Sequence, residues 1–190
     1  HFRRRHCRLS RRRKSELMQQ HTTSNLTQSQ LLIWTGQLLN PDTPLYNMAL
    51  AFELQTAIDV ARFREAFTAL IASSDAMRTV FSVENDVPQQ RVLEQVPYTV
   101  EMLDWTEKSP ESLTEWTAKR AQRVFDLSQP LFDSVLIQLA DDCYVWYFNQ
   151  QHLITDGWSV TVLYKKMGEL YGAALSGNTL QLVFAGILST

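Results

Sequence analysis

The sequence predicts an α/β fold, a mixed sheet with helices packed on it, and three observations carry that prediction. Cys143–Phe148 is an unbroken apolar run rich in Val, Tyr, Trp and Phe, the pattern of a strand buried on both faces. Beyond Gly157 the period changes, and Val160, Leu163, Tyr164, Met167, Leu170, Tyr171 and Ala174 recur at helical spacing. Upstream, helical and strand patterns alternate in the order helix, strand, helix, several strands, helix, two strands.

The elements follow in chain order. His1–Lys14 holds eight of the eighteen Lys and Arg and no acid, so the rest of the chain carries ten basic against twenty acidic residues. Residues 1–24 read as a basic, disordered leader, because runs of like charge repel and bury nothing. No apolar stretch follows the charges, so a secretory signal is not expected. Thr27 caps a helix running to about Leu39, with Leu31, Trp34 and Leu38 as its buried face. Asn40–Pro44 stops it, and Asn47–Gln55 reads as a strand. Asp59 caps a second helix that buries Val60, Phe63, Phe67, Leu70 and Ile71. Arg78–Val83 and Gln89–Leu93 form a hairpin about Glu84–Asp86, and Tyr98–Leu103 alternates as a strand. Pro110 opens a third helix over Glu111–Phe125, facing inward with Leu113, Trp116, Val124 and Phe125. Leu131–Leu139 and Cys143–Asn149 are strands joined at Ala140–Asp142.

Composition narrows the chemistry. No stretch reaches eighteen apolar residues, so no membrane span is expected. Cys7 and Cys143 lie far apart and the four histidines are scattered, which fits neither a disulfide framework nor a metal cluster and suits a reducing cytosol. The six glycines form no phosphate-binding loop. The Tyr and Trp residues fall within apolar faces and read as core, so no nucleic-acid platform is expected. Ser73, Ser74 and Ser134 lack the His and Asp setting of a nucleophilic triad. One short stretch remains. Polarity rises at Asn149-Gln150-Gln151-His152, and Thr155-Asp156-Gly157 precedes the helix. His152 can move a proton near neutral pH, at a strand end of the kind where α/β folds put chemistry. Gly157 suggests backbone with positive φ or close approach, and Trp158 and Ser159 read as packing or capping residues.

QHLITDGWS resembles the HHxxxDGxS signature of condensation domains of non-ribosomal peptide synthetases, members of the chloramphenicol-acetyltransferase-like superfamily. LTQSQLLIW (Leu26–Trp34), PLYN (Pro44–Asn47) and MRTVF (Met77–Phe81) resemble three further motifs of these domains, in the same order. The resemblance covers Leu26 to about Leu175. It implies an acetyltransferase-like lobe over residues 25–176 that joins a carrier-bound thioester donor to an amine acceptor as an amide. His152 falls on the residue assigned the proton work. Gln151 replaces the first His of the signature, in a supporting position. Asp156 is expected to pair with a buried Arg, here Arg78, and so pin the loop, and Gly157 matches a position whose amide lies near the oxyanion. No cofactor of the chain's own is implied, since the phosphopantetheine arms belong to partner carrier proteins.

Residues 177–190 do not resemble the usual continuation into a second lobe, and no D-F-G-W-G-type motif follows. The expectation is therefore an N-terminal lobe, as a truncated product, gene fragment or relic, completed by adjacent synthetase modules, a second lobe or a homodimer, in the cytoplasm. Two other readings stay open: a non-catalytic docking lobe, and a stand-alone acyltransferase esterifying an alcohol with an acyl-CoA.

Overall fold

A strand hydrogen-bonded on both sides and covered on both faces has to be apolar along most of its length. Cys143–Gln151 (β6) meets that condition: Val145, Trp146, Tyr147 and Phe148 are all but inaccessible to solvent. The computed structural model describes residues 23–176 and 184–189. The leader up to residue 22, and residues 177–183 and 190 of the segment set apart in sequence as a tail, lie outside the described residues.

The elements are α1 (Gln28–Leu39), β1 (Asn47–Leu54), α2 (Val60–Ser73), a single 3₁₀ turn (Ala76–Arg78), β2 (Thr79–Glu84), β3 (Val87–Val92), β4 (Glu101–Asp104), α3 (Pro110–Ala121), β5 (Phe132–Ala140), β6, α4 (Gly157–Ser176) and β7 (Phe184–Ser189). The main sheet has the order β4-β5-β6-β1-β7, and β2 and β3 form a separate hairpin. β4 runs parallel to β5 and the other neighbours are antiparallel, so the sheet is mixed, as expected. β7 comes from the segment set apart as a tail, yet it joins the same sheet beside β1.

Alternation along the strands divides the core. On one face Phe52, Trp146 and Phe148 pack against Phe63 and Phe67 of α2 and Tyr164 of α4. Burying one such ring contributes about 1.5–3 kcal/mol. On the other face Ala51, Val135, Val145 and Tyr147 meet Leu113 and Trp116 of α3. Arg120 of α3 fixes that helix to the sheet through a bidentate pair with buried Asp133, Nε to Oδ2 at 2.6 Å and Nη2 to Oδ1 at 2.9 Å. The same pair holds the guanidinium well above its usual range. At the margin of the core, burial pushes the Tyr98 phenol up to about 12. Its oxygen accepts from the Ser134 amide at 2.7 Å.

The structure corrects several expected boundaries. β6 runs to Gln151, because Asn149, Gln150 and Gln151 are buried and paired between β5 and β1. α3 stops at Ala121, where Asn47 Nδ2 donates to the Ala121 and Arg123 carbonyls, and Val124 faces solvent. In α1, Trp34 and Gln37 are buried while Leu38 is exposed. The β2–β3 turn is Asn85-Asp86, both at positive φ, which these two residue types tolerate best.

Candidate active site

The backbone after β6 is held one peptide at a time. Gln151 N–H donates to Leu131 O at 3.0 Å, and His152 N–H to Tyr46 O at 2.8 Å. Leu153 N–H donates to the carboxamide oxygen of Gln151, and Ile154 N–H to Gln151 O at 3.1 Å. Leu153 and Ile154 turn into the core. The His152 side chain is left exposed at the end of the central strand. Gln151, standing where the signature has its first His, therefore braces the loop as a hydrogen-bond acceptor. Its Nε2 is buried with no partner among the described residues.

Asp156 and Arg78 are not paired, contrary to the expectation from the motifs. Asp156 directly precedes α4 and acts as its N-cap: Oδ1 accepts from Ser159 N at 2.7 Å and from Ser159 Oγ at 2.6 Å. These bonds, led by the Ser159 hydroxyl, hold the exposed carboxylate below its usual range, with a smaller pull from His152. Arg78 instead closes the base of the β2–β3 hairpin. It donates to the Leu93 and Glu94 carbonyls and to Asp75 Oδ1, the last at 2.6 Å. The physical reason is local. A carboxylate just before a helix is taken by that helix's own free amides, and Asp75, three residues before Arg78, is the nearer acid.

Gly157 also differs from expectation. It opens α4 in helical backbone, and a methyl group placed there would meet nothing within 4 Å. Gly157 therefore has neither positive φ nor close approach. Trp158 is 78% exposed, so it packs against nothing in the core, while Ser159, the third residue of α4, donates its amide and hydroxyl to the Asp156 cap rather than capping itself. Trp158 and Val162, one turn apart, give the start of α4 an outward apolar side.

Two cavities flank the strand end. One of about 220 Å³ is lined by Gln30, Thr79, Gln90, Leu153 and Ile154, among others. The other, about 240 Å³, lies between α3 and β1 and includes Asn47, Ala49 and Ala118. His152 lines neither. Among the described residues no cluster of His, Cys, Asp or Glu could hold a metal ion, and no helix is long and apolar enough to cross a membrane. Sequence reasoning did not identify Tyr46 and Gln30 as supports of the loop. The signal lay inside PLYN and LTQSQLLIW, which sequence read as motifs without contacts.

The described residues thus form a mixed-sheet α/β lobe whose one histidine among them stands exposed at the end of the central strand, before an Asp-capped helix. The profile of the condensation domain matches residues 19–184, and the chain belongs to that family. It is 31% identical over 162 residues to a linear gramicidin synthase of Brevibacillus parabrevis, covering 83% of this chain and 2% of that protein. It is 28% identical over 158 residues to the dimodular nonribosomal peptide synthase of Bacillus subtilis (strain 168), covering 82% of this chain and 7% of that one. Among solved structures, the starter condensation domain of rhizomide synthetase RzmA superimposes with a TM-score of 0.77 at 28% identity, over 87% of this chain and 42% of that chain. The first condensation domain of the calcium-dependent antibiotic synthetase gives a TM-score of 0.77 at 19% identity, a likeness of fold alone, over 87% of this chain and 41% of the other. The chain thus spans about two fifths of the solved condensation-domain chains it matches.

Proposed function

We propose that this chain is the histidine-bearing lobe of a condensation domain, and that it joins a carrier-bound acyl thioester to a carrier-bound amine. The observation that carries this reading is His152. It is the single histidine of the described residues, fixed through its backbone at a buried strand end with its imidazole turned to solvent. In the reaction the amine nitrogen attacks the thioester carbonyl and a C–N bond forms. The imidazole takes or orients the proton leaving the amine. The C–S bond then breaks and the departing thiolate is protonated. The Gly157 N–H, at the positive end of α4, is a donor for the oxyanion that develops. A doubly substituted variant of the RzmA starter domain was solved in complex with C8-CoA and Leu-SNAC. An acyl donor and an aminoacyl acceptor are the pair proposed here, with both groups carried on phosphopantetheine arms of partner carriers in the cytoplasm. Gln151 supports the reading as a working brace in place of a histidine.

A second reading, a docking lobe without catalysis, is favoured by the exposed Trp158 and Val162 at the start of α4. The deciding assay supplies a loaded donor carrier and an amine-loaded acceptor to the purified chain. Amide product is expected, falling by about 10²–10⁴-fold in His152→Ala. A folded wild-type chain that yields no more product than the variant overturns the catalytic reading. Turnover with a free acyl-CoA and an alcohol would move the chain to the O-acyltransferase branch.

A further inference from the structure

We propose that α1 is a positioning element for His152, acting through Gln30 and through the seat that Gly36 provides for Tyr46. The proposal rests on the reading that His152 handles the proton.

α1 is an unusual helix to find on a core. Leu32, Leu38 and Leu39 are exposed, whereas Gln37 is buried beside Trp34. Trp34, Leu31 and Ile33 face the core, so the feature that burial alone does not select is the buried Gln37. The inward polar groups of α1 are spent on bonds to neighbouring chain segments. Gln37 Nε2 donates to Asn40 O and Thr43 O, both at 3.0 Å, and so shapes the connection that delivers Tyr46. The carboxamide of Gln30 is used three times. Its oxygen accepts from Thr27 N at 2.9 Å, closing a capping box. Its nitrogen donates to Gln90 Oε1 at 3.0 Å and to Leu153 O at 3.1 Å.

The second tether begins at Gly36. A methyl group placed there would come within 2.9 Å of Tyr46 Cζ and 3.0 Å of Cε2, and nearer still to the phenol oxygen. The phenol end of the Tyr46 ring therefore lies directly on the helix, in the space that a side chain at position 36 would take. The Tyr46 carbonyl accepts the His152 amide, one residue beyond the last ladder pair, Asn47 with Gln151. His152 thus sits between two anchors, its own amide held by Tyr46 and the next carbonyl held by Gln30. Both anchors are rooted on one helix, and neither touches the imidazole. A displacement of about 1 Å in a reacting group costs on the order of 10²-fold in rate.

The experiment uses the full chain and the variants Gly36→Ala, Gln30→Met and the double variant Gly36→Ala/Tyr46→Leu. Amide hydrogen exchange at His152 is read by NMR alongside kcat and KM for condensation. Gly36→Ala should speed His152 exchange by about tenfold or more, as loss of one protecting hydrogen bond does, and lower kcat by ~10²-fold with KM unchanged. The double variant restores space while keeping the backbone carbonyl, so both quantities should return toward wild type, which a general loss of stability would not allow. Gln30→Met should lower kcat without changing KM. Unchanged His152 exchange in a folded Gly36→Ala, or no recovery in the double variant, overturns the proposal. A wild-type chain without turnover overturns the catalytic reading alone, and exchange at His152 then decides the positioning claim. Should Gly36→Ala not fold, the double variant and Gln30→Met decide it: wild-type exchange at His152 in the double variant supports the seat, and wild-type kcat in Gln30→Met overturns the Gln30 anchor.

Discussion

The two halves of β6 are equally buried and held by different forces. Tyr144–Phe148 is held by packing: Trp146 lies 5.6 Å from Phe63, 5.4 Å from Phe148 and 5.2 Å from Tyr164, ring centre to ring centre. Trp146 Nε1 donates to Ser134 Oγ at 2.9 Å, while Tyr147 Oη is buried with no hydrogen-bond partner among the described residues. Asn149–Gln151 is as inaccessible to solvent, yet Gln150 and Gln151 each leave a buried amide nitrogen without a partner among the described residues. Packing is non-directional and tolerates small shifts, whereas hydrogen bonds fix direction. The first half of the strand therefore supplies stability. The second half supplies position, at a cost of about 1–3 kcal/mol for a buried polar group left unpaired.

The largest effect that tests this contrast is in the packed half. Phe67 of α2 makes edge contacts with Trp146 at 6.2 Å and Phe148 at 5.8 Å and is 1% exposed. Phe67→Ala should lower unfolding free energy by about 3–5 kcal/mol in urea titration. A loss below about 1 kcal/mol would mean that the aromatic layer is not what holds the sheet. In the polar half the sign reverses. Gln150→Leu removes an unpartnered donor from beside Phe132 and Met48, its cross-strand partners on β5 and β1. It should stabilise the chain by about 1 kcal/mol. A destabilised Gln150→Leu would show that the amide is satisfied in solution and that the two halves do not differ as argued.

The same contrast decides what was legible in the sequence. The run Cys143–Phe148, the helical face of Val160–Tyr171 and the caps at Thr27 and Asp59 depend on neighbours in sequence, and each was readable. Polarity at Asn149 marks the strand's end in sequence, because a buried polar residue looks the same there as a loop residue. Only pairing on both sides distinguishes the two. Gln30 meets Leu153 across 123 residues, and no period or spacing announces such a bond. Leu38 and Val124 were assigned inward by periodicity and face solvent, because α1 and α3 are placed by polar anchors at Gln37 and Asn47. Arg78 and Asp156 were matched as motif residues, and each found a nearer partner.

The smallest expected effect concerns Asp156, and it separates two ways of holding the site. If the carboxylate pinned the loop through a buried ion pair, its removal would unfold the region. As an exposed N-cap it only satisfies the Ser159 amide and hydroxyl at the start of α4. Asp156→Ala should therefore lower Tm slightly, and Asp156→Asn, which keeps an acceptor, should lower it less. The sign with pH follows from the depressed carboxylate. Because its folded-state pKa lies below the unfolded value of 3.8, its contribution is present at neutral pH and is lost as pH falls through that value and below. Thermal melts from pH 7 to pH 3 should converge for wild type and Asp156→Ala at the acid end. A large loss of Tm at pH 7 in Asp156→Ala, matched by an equal loss in Arg78→Ala, would restore the ion-pair view and make the tethers from α1 secondary to it.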